Sequence, residues 1–153
     1  MKVVLQRVRR ASVSVEGSVI AEIGRGLLLL VGVGRDDPDQ HAGTLSDKVA
    51  TLRVFADEDG KTNLALADVG GAALVVSQFT LYGDVRTGRR PSWTGAEDPD
   101  RAATLVEAFA TALEARDVPV ARGMFGAAME VELINDGPFT LVLGAGDLGG
   151  PPA

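Results

Sequence analysis

The chain has 153 residues, the size of one domain, and 46% of them are apolar, enough to bury a core and exclude wholesale disorder. It carries no cysteine, which rules out disulfides, a thiolate nucleophile and cysteine-bound zinc, and its one histidine, His41, leaves a dedicated metal site short of ligands. A formal net charge of -6 argues against a general nucleic-acid binder, although Lys2, Arg7, Arg9 and Arg10 form one basic patch and Arg86, Arg89 and Arg90 another. Both patches read as solvated surface; only if they converge do they offer a seat for an RNA end.

In chain order, apolar alternation predicts strands at residues 3–8, 11–15 and 19–23, with Glu16-Gly17 as a tight turn in an antiparallel meander. The longest apolar run, Gly26-Leu27-Leu28-Leu29-Leu30-Val31-Gly32-Val33, falls well short of the roughly 18 residues a membrane helix needs and reads as a buried strand. The opening Met1-Lys2-Val3-Val4-Leu5 runs into Gln6 and Arg7 without a secretory apolar block, so a cytoplasmic location is expected. Asp37-Pro38 reads as the N-cap and first-turn proline of an amphipathic helix carrying Ala42, Leu45, Val49 and Leu52. His41 falls on the polar face of that helix. The carboxylates Asp36, Asp37, Asp39 and Asp57-Glu58-Asp59 have magnesium chemistry available to them but read as solvated turns.

A short strand near residues 53–55 leads into the Asp57-Glu58-Asp59-Gly60 turn, and residues 73–81 form the next strong strand, turning polar at Ser77 and Gln78. Residues 82–99 are rich in glycine, proline and arginine and read as a long loop, a common carrier of function. Its Trp93, the single tryptophan, suits either packing or stacking on a nucleobase. Asp98-Pro99 repeats the cap signal before a second amphipathic helix with Ala102, Leu105, Val106, Phe109 and Leu113. Strands at residues 129–134 and 139–143 flank Asn135-Asp136-Gly137-Pro138, and residues 144–153 read as a flexible tail. The pattern predicts one α+β domain over residues 1–143, with largely antiparallel, barrel-like sheets and two helices.

Ser77-Gln78-Phe79-Thr80-Leu81 at a strand end and Asn135-Asp136-Gly137-Pro138-Phe139-Thr140 in a turn are the candidate chemical segments. Read singly, each stays open: serine and threonine at a strand end cap backbone groups as readily as they catalyse, and Gly-Pro between strands serves as a plain turn.

Together these motifs resemble the D-aminoacyl-tRNA deacylase family of the bacterial and eukaryotic type. The resemblance runs from Val4-Leu5-Gln6-Arg7-Val8 and Ala11-Ser12-Val13 through Lys61-Thr62-Asn63-Leu64, Val76-Ser77-Gln78-Phe79-Thr80-Leu81, Arg90-Pro91-Ser92 and Phe125-Gly126-Ala127-Ala128-Met129. It closes on Asn135-Asp136-Gly137-Pro138-Phe139-Thr140, with Leu5 and Phe139 as conservative departures. The resemblance implies a cofactor-free homodimer with sites at the interface. It implies that Ser77, Gln78, Phe79 and Thr80 line the pocket, with Phe125 and Met129 nearby. Gly137 and Pro138, joined by a cis peptide and braced by Arg7, would enter from the partner subunit and exclude an L side chain. The implied substrate is tRNA esterified to a D-amino acid or to glycine, with Arg86, Arg89 and Arg90 as candidate phosphate contacts.

Neither motif supplies a histidine or lysine to activate Thr80. The chemistry available is therefore backbone N–H groups around Phe79 and Thr80 as an oxyanion hole, with Thr80 holding substrate or water and the neighbouring ribose hydroxyl assisting. Three rival readings stand beside it: a relative clearing L-alanine from mischarged tRNA, a non-catalytic RNA-end binder, and a small-metabolite hydrolase.

Overall fold

The computed structural model describes residues 1–148. Its first strand, β1 (Lys2–Val15), is continuous where the alternation predicts two. The apolar period slips after Leu5: Val3 and Leu5 join the core beneath the helices, whereas Val8, Ala11 and Val13 join a second cluster. The backbone stays paired through two register shifts, so the strand passes from one core to the other without ending. Glu16 and Gly17, at φ 51° and 80°, turn it into β2 (Ser18–Ile23).

β3 (Gly26–Gly32) pairs antiparallel with β1 and parallel with β6 (Ala72–Ser77). Leu27, Leu29 and Val31 enter the helix-side core and Leu28 the other, which explains a run with no polar alternation. Two helices, α1 (Gln40–Thr51) and α2 (Pro99–Glu114), cover that first face with Ala42, Leu45 and Val49 and with Ala102, Leu105, Phe109 and Leu113. Asp98 holds the N-cap position of α2 as its sequence predicts, whereas that of α1 falls at Asp39, two residues later than expected, and neither carboxylate makes a capping hydrogen bond; the Asp37 carboxylate is engaged by Tyr82.

The large sheet is mixed, which corrects the expectation of a largely antiparallel one. Between β3 and β6 the chain runs through α1 and a small hairpin, β4 (Phe55–Ala56) with β5 (Thr62–Leu64). Between β6 and β7 (Val120–Arg122) it runs through α2. Both links are crossovers, and a crossover returns its strand parallel. β8 (Glu130–Leu143) pairs along the other edge of β1, giving the order β2-β1-β3-β6-β7 with β8 outside it. β2 also packs against β6 and β7, curling the sheet nearly into a barrel.

Two features place the site. The strand predicted to reach residue 81 ends at Ser77, and Phe79–Tyr82 winds into a 3₁₀ turn. The two predicted late strands are one, with Asn135-Asp136-Gly137-Pro138 bulging from it: Gln6 lies opposite Thr140 and Val8 opposite Asn135, a step of two residues against five. Beyond β8, Ala145–Asp147 form a short 3₁₀ turn and Leu148 packs on the core; residues 149–153 of the predicted tail lie outside the described residues. No helix among the described residues is long and apolar enough to cross a membrane.

Candidate active site

A cavity of about 540 Å³ opens where β3 and β6 end, bounded by the start of α2 and by residues 125–131. Val31, Val76, Ala102, Val106 and Met129 give it an apolar lining, and Ser77, Gln78, Arg35 and Glu97 supply polar groups. An apolar hollow with a few placed polar groups is the usual form of a small-molecule site. Six of the residues singled out from sequence meet there: Ser77, Gln78, Phe79, Trp93, Phe125 and Met129. Thr80, Gly137, Pro138 and Arg7 do not line it.

The cavity borders the Phe79–Tyr82 turn. Gln78 N–H makes the last ladder bond, to Val31 O at 2.8 Å, and Leu81 N–H returns to Gln78 O at 3.2 Å. Between them, the N–H groups of Phe79 and Thr80 donate to no acceptor among the described residues, as expected for the first donors of a helical turn. The Gln78 side-chain amide donates to Thr80 Oγ1. Phe79 is exposed and meets Trp93 edge to face, ring centroids 5.2 Å apart.

The Gly137-Pro138 peptide is cis, and Gly137 has φ +136°. Arg7 holds this bulge: its Nε donates to Asp136 O at 3.0 Å, its Nη1 to Val54 O at 2.6 Å, and its guanidinium lies 4.7 Å from the centre of the Phe139 ring. From the other side, Asn135 Oδ1 accepts from Phe139 N–H at 2.6 Å and Asn135 Nδ2 donates to Thr140 Oγ1 at 3.0 Å.

The arginine loop is ordered by a bridge between Asp84 and Ser92. Arg86 grips the Asp84 carboxylate, whose pKa is held down to about 2 by that side-chain contact and by the Arg86 N–H. Arg89 and Arg90 are exposed and donate to no acceptor among the described residues. His41 is not the solvated side chain expected of it: it is largely covered, with Nδ1 3.6 Å from Asp37, and no hydrogen bond links it to Thr80. No cluster of three or more metal-binding side chains occurs among the described residues.

Sequence reasoning missed Arg35 and Glu97 as lining residues. Glu97 lies beside Ala96, which bridges to Gly34 across the sequence, and it immediately precedes the helix-cap signal of Asp98-Pro99. Its carboxyl is held below the usual range by the Asp98 N–H and then by Arg101. No local pattern pairs residues 33–35 with 95–97.

A family model described as D-Tyr-tRNA(Tyr) deacylase matches residues 4–144. The chain is 60% identical over 148 residues to the D-aminoacyl-tRNA deacylase of Chloroflexus aurantiacus, covering 97% of this chain and 92% of that one. It is 52% identical over 143 residues to the D-aminoacyl-tRNA deacylase of Thermus aquaticus, covering 94% of each. Among solved structures it is similar to a c-Myc DNA unwinding element binding protein at TM-score 0.87 and 38% identity, over 95% of this chain and 99% of that one. A probable eukaryotic D-amino acid tRNA deacylase shares the fold at TM-score 0.81 and 18% identity, over 93% and 97% of the two chains.

Proposed function

The chain belongs to the D-Tyr-tRNA(Tyr) deacylase family and is a hydrolase of the aminoacyl-tRNA ester; on that premise we propose that it frees tRNA from D-amino acids and glycine by using its backbone as the catalyst. The observation that carries this reading is the meeting of Ser77, Gln78 and Phe79 on the cavity wall with two unoccupied amides at the start of the bordering turn.

In this reading the cavity takes the terminal nucleoside, and the ester carbonyl points at the Phe79 and Thr80 N–H groups. Water adds to the carbonyl carbon, and the oxyanion that forms is held by those two donors, each worth roughly 3–4 kcal/mol in comparable sites. The neighbouring ribose hydroxyl orients the water. Collapse then breaks the ester bond, and the ribose oxygen leaves with the proton given up by the attacking water, relayed through that neighbouring hydroxyl. Thr80 Oγ1 is engaged by Gln78 and lacks a base, so its O–H holds water or substrate and does not attack.

Chirality is set by exclusion. Gly137 and Pro138 of the partner subunit would stand where an L side chain lies, leaving room for the hydrogen of glycine or for a D side chain directed to solvent. The homodimer this requires is supported by the outer edge of β8, a 14-residue strand paired on one side only among the described residues, with Ile134 and Val142 exposed along it. Arg89 and Arg90 are the candidate contacts to tRNA phosphates, with Arg86 secondary because Asp84 holds it. The working compartment is the cytoplasm, where charged tRNA is used.

Crystals grown with a non-hydrolysable amide analogue of D-tyrosyl-adenosine test the arrangement. The analogue should place its carbonyl oxygen on the Phe79 and Thr80 amides, with Gly137 and Pro138 of a second copy against its Cα. An analogue seated elsewhere, or in a site made by one copy alone, would overturn the reading.

A further inference from the structure

The N–H groups of Phe79 and Thr80 are unpaired among the described residues, and the turn is tied by Gly83 N–H to Thr80 O at 3.0 Å and by side-chain contacts at its far end. Tyr82 closes the turn and donates its O–H to Asp37 Oδ2 at 3.0 Å. The Asp37 side chain, 12% exposed, also accepts the Gly34 N–H and lies beside the Met1 α-amino group. The Tyr82 ring is packed so closely on Gly34 that a Cβ there would stand 2.5 Å from it. Lys2 Nζ sits 4.6 Å from the ring centre on its way to Leu81 O, 3.1 Å away.

Asp37 is tied in turn to the cavity walls. Arg101 of α2 donates to Asp37 O at 2.6 Å. Residues 33–35 are zipped to 95–97 by Arg35 N–H to Gly95 O at 3.2 Å and Glu97 N–H to Val33 O at 3.0 Å. Burial, and then the Asp37 contact, push the Tyr82 phenol well above its ordinary range.

We propose that Asp37 and Tyr82 are positioning residues for the deacylation: their hydrogen bond sets the angle of the Phe79–Tyr82 turn and with it the aim of the Phe79 and Thr80 amides. The inference rests on the reading of those amides as the oxyanion donors. A misplacement of about 1 Å at a catalytic group can cost on the order of a hundredfold in rate, and this turn has four residues over which to absorb any slack.

The single tryptophan makes the idea measurable. Trp93 touches Phe79 at the start of the turn, and a Cβ on Gly83, just past its end, would lie 2.8 Å from the Trp93 ring. Tyr82→Phe removes one oxygen and no apolar contact. In the full-length protein, well below its melting transition, this variant should lower kcat on D-tyrosyl-tRNA about tenfold, the equivalent of one hydrogen bond to a charged group. KM should stay within about twofold, because the amides act on the transition state more than on the bound ester, and Trp93 emission should shift. Asp37→Asn, whose carbonyl can still accept from Tyr82, should retain more activity than Asp37→Ala. A Tyr82→Phe protein with a lowered melting midpoint but unchanged kcat and unchanged Trp93 emission would overturn the inference. Should an amide analogue of D-tyrosyl-adenosine seat its carbonyl away from the Phe79 and Thr80 amides, the site reading is what fails; the Trp93 emission of Tyr82→Phe then decides by itself whether the hydroxyl holds the turn.

Discussion

Arg7 is the sharpest place to perturb the bulge that carries Gly137 and Pro138. Its side chain is 15% exposed and delivers charged hydrogen bonds to two main-chain carbonyls, Asp136 O and Val54 O, joining the bulge of β8 to the entry of β4. Arg7→Ala leaves both carbonyls without that donor and removes the cation from the Phe139 ring. With hydrogen bonds to charged groups worth about 1.5–3 kcal/mol each, and with partial replacement by water, a loss of about 3 kcal/mol is expected. Arg7→Lys should lose about half as much, since an ammonium on a flexible stem cannot serve two carbonyls set apart as a guanidinium can. Urea unfolding at fixed protein concentration measures this, concentration being held because assembly adds to apparent stability. The same variant should hydrolyse L-tyrosyl-tRNA relative to D-tyrosyl-tRNA about tenfold more readily than the parent, as the bulge loosens; a tenfold change corresponds to about 1.4 kcal/mol. A stability loss below about 1 kcal/mol together with an unchanged D-to-L ratio would refute the bracing argument.

Gly137→Ala should act in the same direction with the Arg7 residue itself unaltered: at φ +136° an added Cβ would lie 2.8 Å from Arg7 Nη2 and 3.3 Å from Phe139 N, so the Arg7 brace or the bulge must shift, and the D-to-L ratio reports it. Phe109, fully buried under the sheet, should cost about 3–5 kcal/mol when cut to alanine, read as a lower urea midpoint. Asp37 should show in acid: burial pushes its pKa up, but the Met1 α-amino group, the Gly34 N–H and Tyr82 together hold it below the ordinary 3.8. Its folded pKa being depressed, its contribution is complete above pH 3.8 and disappears as the pH falls through the lower folded value. Melting curves of parent and Asp37→Asn should therefore converge only in strong acid, and a gap that stays constant down to that range would contradict this. Arg89→Gln with Arg90→Gln should raise KM for charged tRNA and flatten its salt dependence by about one logarithmic unit per lost contact, with Arg86→Gln doing less.

The helices and the hairpin at Glu16-Gly17 were legible because each is written locally, in a cap followed by periodic apolar residues or in a two-residue turn. The mixed sheet was not. Nothing in residues 27–32 says that the strand beside them arrives by a crossover, since a strand buried on both faces shows no alternation from which to read its neighbour. The break expected between Val8 and Ala11 is no strand end, because side-chain period and backbone continuity are different things; the ladder from Lys2 to Val15 holds while the face it buries changes. At the site, Ser77, Gln78, Phe79, Phe125 and Met129 were named from motifs and do converge. Thr80 was named with them, yet it is not part of the cavity lining and is engaged by Gln78. Arg35 and Glu97 were invisible because their proximity depends on the zipper between residues 33–35 and 95–97. Asp37 was visible but misread: an aspartate before proline signals a helix cap, and only the tertiary neighbours Gly34 and Tyr82 reveal its other use.

Chirality is the property that the site is built to read, so the deciding measurement is deacylation of D-tyrosyl-, glycyl- and L-tyrosyl-tRNA side by side by the purified protein at low concentration. Rapid loss of the D and glycyl esters with the L ester spared is the predicted result; hydrolysis of all three at similar rates, or of the L ester alone, would contradict a site that selects by excluding the L side chain.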